Sequence, residues 1–339
     1  MKQEVTIYDI AKELNISPAT VSRALKNHPA ISNATKKKIQ DLAKQKGYRS
    51  NIFAGNLRKQ KTNTIGVIIH ELNSHFTTSV LAGIEKVTTA AGYDLIIGHS
   101  SETYKKEVAN AHNLFHKRVD GLIASLSYDT KDTAHFDPFI EKGIPVVFFD
   151  RVEDSVVSTK VVIDNFKAGY DATTHLIQQG CKRIVHVTAS LQRNVYSDRF
   201  KGYKQALTNH KINFSPKHLI INDLSEKAAI ETAKQIMKMQ PLPDAVFITN
   251  DFCAAICMKT MLEAGIRVPQ DIAFVGFNND VISTIVEPKL TTINYPGMQM
   301  GEIAGKNLIE QLTDKHTGVT DKVIITSELI IRASSLKKG

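Results

Sequence analysis

Ser17-Pro18-Ala19-Thr20-Val21-Ser22-Arg23-Ala24-Leu25 is the stretch on which the reading of this 339-residue chain turns. Ser17 is a strong N-cap, and Pro18 suits the first helical position, where its missing N–H would be unpaired anyway. Val21, Ala24 and Leu25 then recur at helical spacing. Upstream, Thr6-Ile7-Tyr8-Asp9 has the form of an N-cap with an acidic residue three positions on, and Ile7, Ile10, Ala11 and Leu14 continue one apolar face. With only about three residues between them, the two short helices cannot form a long hairpin and must cross steeply. A third helix starts near Ser32 and runs through Ile39, Leu42 and Ala43 to Gly47, which suits a left-handed cap. It closes a small core over Ile10, Leu14, Val21, Leu25, Ile39 and Leu42, giving a helix-turn-helix.

In such a unit the N-terminal residues of the second helix enter the DNA major groove, so Pro18, Ala19 and Arg23 are the expected base contacts. A guanidinium matches guanine O6 and N7 bidentately, which makes Arg23 the main specificity candidate. Thr6, Ser17, Thr20, Ser22, Asn27, Ser32 and Thr35 carry short polar side chains suited to phosphates. Charge agrees with this. Residues 1–62 hold 13 basic and 4 acidic side chains, while the remainder holds 30 of each, so the whole net charge of +9 sits in the first fifth of the chain. A segregated positive potential attracts a polyanion.

Three cysteines, Cys181, Cys253 and Cys257, cannot pair completely and form no disulfide framework, which fits a reducing compartment. The charged N-terminus lacks a signal-peptide core, and no stretch approaches the roughly 20 apolar residues of a membrane span. The expected location is the cytoplasm, with no membrane partner.

Together with Gly47-Tyr48-Arg49-Ser50-Asn51, Ala54 and Leu57, the Thr6–Ala11 and Ser17–Leu25 segments resemble the head and hinge of the lactose-repressor and galactose-repressor family of regulators. The resemblance covers about residues 6–334. It implies a hinge helix over Asn51 to Arg58, folded only on DNA, with Asn51 on the phosphate backbone and Leu57 wedged into the central minor-groove step of a palindromic operator. An apolar wedge unstacks one step and kinks the duplex, at a cost that depends on sequence. Gly55, where the family often has Arg, lowers the intrinsic helicity of this segment.

Beyond Asn63, apolar runs alternate with helical segments. Ile65 to Ile69, Tyr93 to Ile97, Gly121 to Ser125 and Pro145 to Asp150 read as buried strands of one doubly wound α/β unit. Arg183 to Thr188, Leu219 to Asn222, Ala245 to Asn250 and Ile272 to Phe277 begin a second, interleaved with helices over Gly169 to Gln179, Phe200 to Thr208, Glu226 to Met239 and Phe252 to Ala264. A strand at Thr291 to Asn294, a helix from Met298 to Leu312 and a strand at Thr326 to Arg332 complete the tail. The fold class is α/β: a three-helix head (1–50), a hinge helix and linker (51–62), then two parallel-sheet subdomains of periplasmic-binding-protein type (63–339). The family has three crossings between subdomains, expected here near Asp164, Thr292 and Ile324. They divide the domain into about 63–163 plus 293–323 and about 164–291 plus 324–339.

Ligands in open α/β sheets bind beyond the carboxyl ends of strands. That rule and the family's binding positions nominate His75, Phe76, Ser125, Arg151, Arg199, Asn250 and Asn278 for a small sugar-like effector. Arg199 offers a fork of donors, Asn250 a donor and an acceptor, and Phe76 a ring face. The family's usual Asn-Pro-Phe-Phe is replaced by Asn73-Ser74-His75-Phe76, and its frequent Asp after Gly-Phe by Asn278, so an acceptor-only group for sugar hydroxyls becomes an amide.

Other signals carry less. Gly301-Glu302-Ile303-Ala304-Gly305-Lys306 echoes a phosphate loop but is one residue short and lacks the following Ser or Thr, which makes it a packing surface. His112 and His116 lack the Glu of a zinc-protease motif, and Cys253 and Cys257 have no His partners, so no metal or other cofactor is expected. A sugar-binding transport protein is disfavoured by the missing export signal, and an enzyme by the missing nucleophile elbow and dinucleotide fingerprint. What remains is a homodimeric, ligand-controlled DNA-binding repressor.

Overall fold

A computed structural model describes residues 5–48, 61–313 and 321–337. The chain divides into two compact units, Met1–Thr62 and Asn63–Gly339. In the first, α1 (Ile7–Glu13), α2 (Pro18–Leu25) and α3 (Asn33–Gln45) start at the side-chain caps Thr6, Ser17 and Ser32. Each ends with a left-handed residue, Asn15 (φ 51°), Asn27 (φ 57°) or Gly47 (φ 66°). The N–H groups of Ile16, His28 and Tyr48 reach back to the carbonyls of Ala11, Arg23 and Ala43, closing three Schellman turns. Only Gly47 was expected in that role. The core is Ile10, Ala11, Val21, Ala24, Ile39 and Ala43, with Leu14, Leu25 and Leu42 half-buried against it. The small alanines let the three helices approach closely, so the larger leucines sit at the rim.

The second unit holds two six-stranded sheets. Its first part runs β1 (Thr64–Ile69), α4 (His75–Ala90), β2 (Asp94–His99), α5 (Tyr104–His116), β3 (Gly121–Ala124), α6 (Asp137–Glu141), β4 (Val146–Phe149) and β5 (Thr159–Ile163). The chain then crosses and continues with α7 (Asn165–Gln178), β6 (Ile184–Thr188), α8 (Asn194–Asn209), β7 (Leu219–Ile221), α9 (Glu226–Met237), β8 (Ala245–Ile248), α10 (Asp251–Glu263), β9 (Ala273–Asn278), α11 (Ile282–Ile285) and β10 (Thr291–Asn294). It returns through α12 (Gly297–Thr313) and β11 (Lys322–Ile325) and ends on β12 (Leu329–Ile330). The sheet orders are β11-β5-β4-β3-β1-β2 and β12-β10-β9-β8-β6-β7, parallel except for β12 on β10.

These pairings correct the expected tail. Thr326 to Arg332 is not one strand: Lys322–Ile325 pairs with β5 in the first sheet, whereas Leu329–Ile330 pairs with β10 in the second. The last crossing therefore falls between 325 and 329, just beyond Ile324, which itself still pairs in the first sheet. The second falls after Asn294, because β10 holds its register on β9 through that residue. Strand β5 was not anticipated, since Lys160 interrupts its apolar run. In the fold Lys160 is 8% exposed and its Nζ donates to the Val156 carbonyl at 2.6 Å, which satisfies the buried end of the side chain.

Two helix pairs stiffen the unit. A Cβ on Gly83 of α4 would overlap the Met298 carbonyl, and one on Gly301 of α12 would overlap that of Val80. In the other subdomain, Gly169 of α7 lies against the Arg199 carbonyl and Gly202 of α8 against that of Phe166. Gly301 is thus a helix-packing glycine, as its setting predicts. No described helix is long and apolar enough to cross a membrane.

Candidate functional site

Helix α2 buries Val21 and Ala24 while Ala19 and Arg23, one turn apart, stand exposed; Pro18, Thr20 and Ser22 are half-buried. The caps decide which hydroxyls stay free. Thr6 Oγ1 donates to Asp9 Oδ2 at 2.7 Å, so its one proton is committed within the fold. The Ser17–Thr20 and Ser32–Thr35 hydroxyls pair at 2.9 and 2.8 Å, which leaves one donor per pair at the N-termini of α2 and α3. Helix N-termini attract phosphate. Asn27 has its own structural duty as the left-handed stop of α2. Asn51 and Leu57, with the expected hinge helix, lie outside the described residues.

At the carboxyl ends of both sheets the subdomains enclose a cavity of about 790 Å³. Its floor is Arg199, 3% exposed, whose guanidinium carbon lies 3.5 Å from the Phe277 ring centroid and within 5.5 Å of those of Tyr196 and Tyr295. Nε donates to Asn165 Oδ1 at 2.8 Å and Nη1 to the Thr249 carbonyl at 3.4 Å. Burial lowers the pKa of this arginine, yet a guanidinium stays charged. Its remaining donors are a ready fork for hydroxyls or a carboxylate.

Arg151 forms the opposite wall. Nη1 reaches both oxygens of Glu102 at 2.9 and 2.7 Å, Nη2 meets the Tyr196 hydroxyl at 3.2 Å, and the guanidinium stacks 4.2 Å over Tyr128. Asp150, left-handed at φ 58°, accepts from the Tyr295 hydroxyl; burial raises its pKa against the pull of Arg151. Phe76 stacks on Tyr295 with centroids 4.1 Å apart. Asn250 Oδ1 caps α10 through the Cys253 N–H, leaving its amide nitrogen available. Asn278 (φ 117°) is held in an uncommon backbone region. Behind it, a Cβ on Gly276 would strike the Asp251 carboxylate, so glycine makes room there for an acid that holds Thr292 and the Asp280 N–H. Burial, then Asp280, raises Asp251 to about 7.

The N-terminus of α8 ties the subdomains together. Arg193 Nη2 donates to the Thr130 carbonyl at 2.9 Å; Asn194 donates to the Asp150 carbonyl and accepts from the Val152 N–H, both at 3.1 Å. The Tyr128 and Tyr196 hydroxyls meet at 3.1 Å.

Comparison with known proteins agrees with this architecture. Residues 6–51 match the profile "Bacterial regulatory proteins, lacI family", and residues 173–335 match "Periplasmic binding protein-like domain". The chain is 31% identical to Catabolite control protein A of Priestia megaterium over 98% of this chain and 99% of that one. It is 30% identical to the HTH-type transcriptional repressor CytR of Escherichia coli K12, over 98% of each. The chain belongs to the LacI family of bacterial regulatory proteins. The lac repressor dimer bound to operator and the anti-inducer ONPF shares its fold, with a TM-score of 0.87, 23% identity and coverage of 99% of this chain and 100% of that one. LacI-family members are transcriptional regulators and not enzymes.

Of the effector residues expected for a LacI-family regulator, His75, Phe76, Arg151, Arg199, Asn250 and Asn278 line the cavity. Ser125 does not. It is fully buried beneath His70, whose Nδ1 lies 3.1 Å from its hydroxyl, so it positions a ring and cannot touch a ligand. Glu102, Tyr128, Asp223, Asp280 and Tyr295 also line the cavity and were missed. Extending the strand-end rule to β2, β7 and β10 would have found Glu102, Asp223 and Tyr295. His70, Glu71 and Glu102 bring ligand atoms within 4.8 Å of one another, the one such group among the described residues. The Arg151 charge on Glu102 opposes a metal ion there.

Proposed function

We propose that this chain is a cytoplasmic homodimeric repressor whose grip on a near-palindromic operator is set by a sugar or sugar derivative held between the subdomains. The observation that carries the reading is the 790 Å³ cavity, in which a buried, aromatic-boxed Arg199 keeps donors free, in the same chain as a helix offering Arg23 to solvent. Pro18, Ala19 and Arg23 read bases; the free hydroxyls of the Ser17–Thr20 and Ser32–Thr35 pairs, with Ser22, Asn27 and Asn51, hold phosphates; Leu57 opens the central step. Residues 1–50 serve as the head, 51–62 as the hinge and linker, and 63–339 as the sensor. A ligand regulates only if it prefers one of the DNA-competent and incompetent states, and such couplings change affinity roughly 5 to 150-fold.

Operator titrations with and without ligand test this reading, the ligand being found by a thermal-shift screen of sugars and their derivatives. Arg199→Ala is expected to abolish the ligand response while leaving ligand-free operator binding nearly unchanged. A normal response in that variant would place the effector elsewhere.

A further inference from the structure

The cavity is chemically lopsided. Its lining holds five carboxylates, Glu71, Glu102, Asp150, Asp223 and Asp280, against the two guanidiniums of Arg151 and Arg199. Arg151 is committed to Glu102 and Tyr196, while Arg199, whose partners Asn165 and the Thr249 carbonyl are neutral, keeps its charge and stands as one open cation against the four remaining carboxylates. His70, which lies deepest among the ring nitrogens, is kept neutral by burial and the neighbouring Arg151 charge, so it cancels none of the acid.

Asp280 is the decisive group. It is 8% exposed, and its Oδ1, fully shielded from solvent, makes no hydrogen bond. Its other oxygen receives only Asn278 Nδ2, at 3.3 Å. His75 Nδ1 stands 3.6 Å from Oδ1, beyond hydrogen-bond reach but within ion-pair range when protonated, so it offsets part of the Asp280 charge without giving Oδ1 a donor. A buried carboxylate oxygen without a donor is costly and calls for a partner. Asp280 lines both the main cavity and an adjoining chamber of about 420 Å³, and the side chains around both openings include no lysine and no third arginine. Glu71 adds to the same field: its pKa is raised by burial, then by Glu102 and, in part, by Asp280, and no hydrogen bond holds it.

We infer that the effector of this cleft bears a protonated amine, seated on Asp280 with Glu71 behind it, and carries hydroxyls toward Arg199, Asn250 and Asn278; an amino sugar has this chemistry. The inference rests on the cleft being the effector site. An ammonium at the exposed edge of the carboxylate supplies the opposite charge, gives Oδ1 a donor once the Asp280 side chain turns toward it, and keeps that carboxyl ionised where burial raises its pKa. A phosphate or carboxylate at the same place would meet unneutralised acid and is rejected.

The test is calorimetric titration of the full-length protein at pH 7 with matched sets: glucose, galactose and mannose, their 2-amino-2-deoxy forms, and their 6-phosphates. At least one amino member should bind about tenfold or more tightly than its parent, with no binding of its phosphate. Asp280→Asn retains the Asn278 and backbone contacts and should remove that preference while sparing the parent sugar, a selectivity that general damage to the loop would not produce. Glu71→Gln should reduce the preference independently. A phosphorylated sugar binding best, equal binding of amino and parent forms, or an unchanged preference in Asp280→Asn would overturn the charge inference and leave the effector cleft standing. Failure of every amino form would overturn the charge inference, whereas the cleft itself falls only if Arg199→Ala keeps a normal ligand response.

Discussion

Gly169 of α7 packs directly on the backbone of Arg199: a Cβ added at Gly169 would overlap the Arg199 carbonyl oxygen and approach its carbonyl and α carbons at 2.8 Å. Helix packing and ligand recognition therefore meet at one residue. Gly169→Ala is expected to push α8 off α7, destabilise the protein by about 1–3 kcal/mol, and weaken effector binding because the guanidinium leaves its aromatic box. Gly83→Ala makes the equivalent clash between α4 and α12 and should cost similar stability with a smaller effect on the ligand. Chemical denaturation and calorimetry on the two variants would separate these outcomes, and equal ligand affinity in both would refute the link.

Arg23 is exposed on α2, while the hydroxyls around it are shared within caps. Arg23→Ala should cost about 1–3 kcal/mol of operator affinity and relax selectivity at one base pair. Lys36→Ala, at the start of α3, should instead weaken all sequences alike and lower the salt slope by about one. Fluorescence titrations on operator and scrambled DNA at several salt concentrations would distinguish them.

His186 is fully buried among Phe200, Tyr203 and Phe247, and neither ring nitrogen makes a hydrogen bond of good geometry, the weak approach to the Phe247 backbone included. Burial, then the Arg199 charge, lowers its pKa to about 3. The unfolded chain takes up this proton near pH 6.5 and the folded protein does not, so stability falls as pH drops from about 6.5 toward 3, at up to roughly 1.4 kcal/mol per pH unit. His186→Phe should remove that slope and gain about 1 kcal/mol at neutral pH by deleting two unpaired polar atoms. Denaturation curves at pH 7 and pH 5 would show an unchanged difference between the two pH values if this account is wrong.

The sheet edges differ in how they are guarded. β11 carries Lys322 and β12 has only two residues, both devices that blunt an edge. β2 and β7 expose Ile97 (48%) and Ile221 (51%) with no lysine on the strand, whereas Ile324 of β11, 60% exposed, lies two residues from Lys322. We expect the second copy to cover this side. Ile97→Asp or Ile221→Asp should weaken dimerisation about tenfold or more by sedimentation, while Ile324→Asp on β11 leaves it intact.

The head was legible almost to the residue because local chemistry writes it: caps at Thr6, Ser17 and Ser32, and short apolar faces between them. Most strands were legible too, as apolar runs; β5, interrupted by Lys160, and the split of the tail into β11 and β12 were not. Helix starts in the sensor lie earlier than the apolar period suggests, by four residues at α7 and six at α8. There the first two turns carry Asn165, Asn194, Tyr196 and Arg199, residues that serve the cleft and interrupt the apolar period. Function hid structure at those points. Asp280 and Tyr295 escaped notice because their significance comes from partners distant in sequence: Asp251 beneath Asp280, and Asp150 opposite Tyr295.

The three chain crossings, after Ile163, after Asn294 and between Ile325 and Leu329, join two bodies that their interlocked helix glycines keep from deforming. One connecting strand would permit swivelling, and three side by side resist twisting and leave a single soft degree of freedom, opening against closing. Whatever occupies the cleft is thereby translated into one scalar, an angle, and its chemical detail is discarded. Such a sensor can be retargeted by a few substitutions at the cavity wall without redesign of the output. A departure such as Asn278 can therefore arise at the wall while the fold that transmits the signal stays the same.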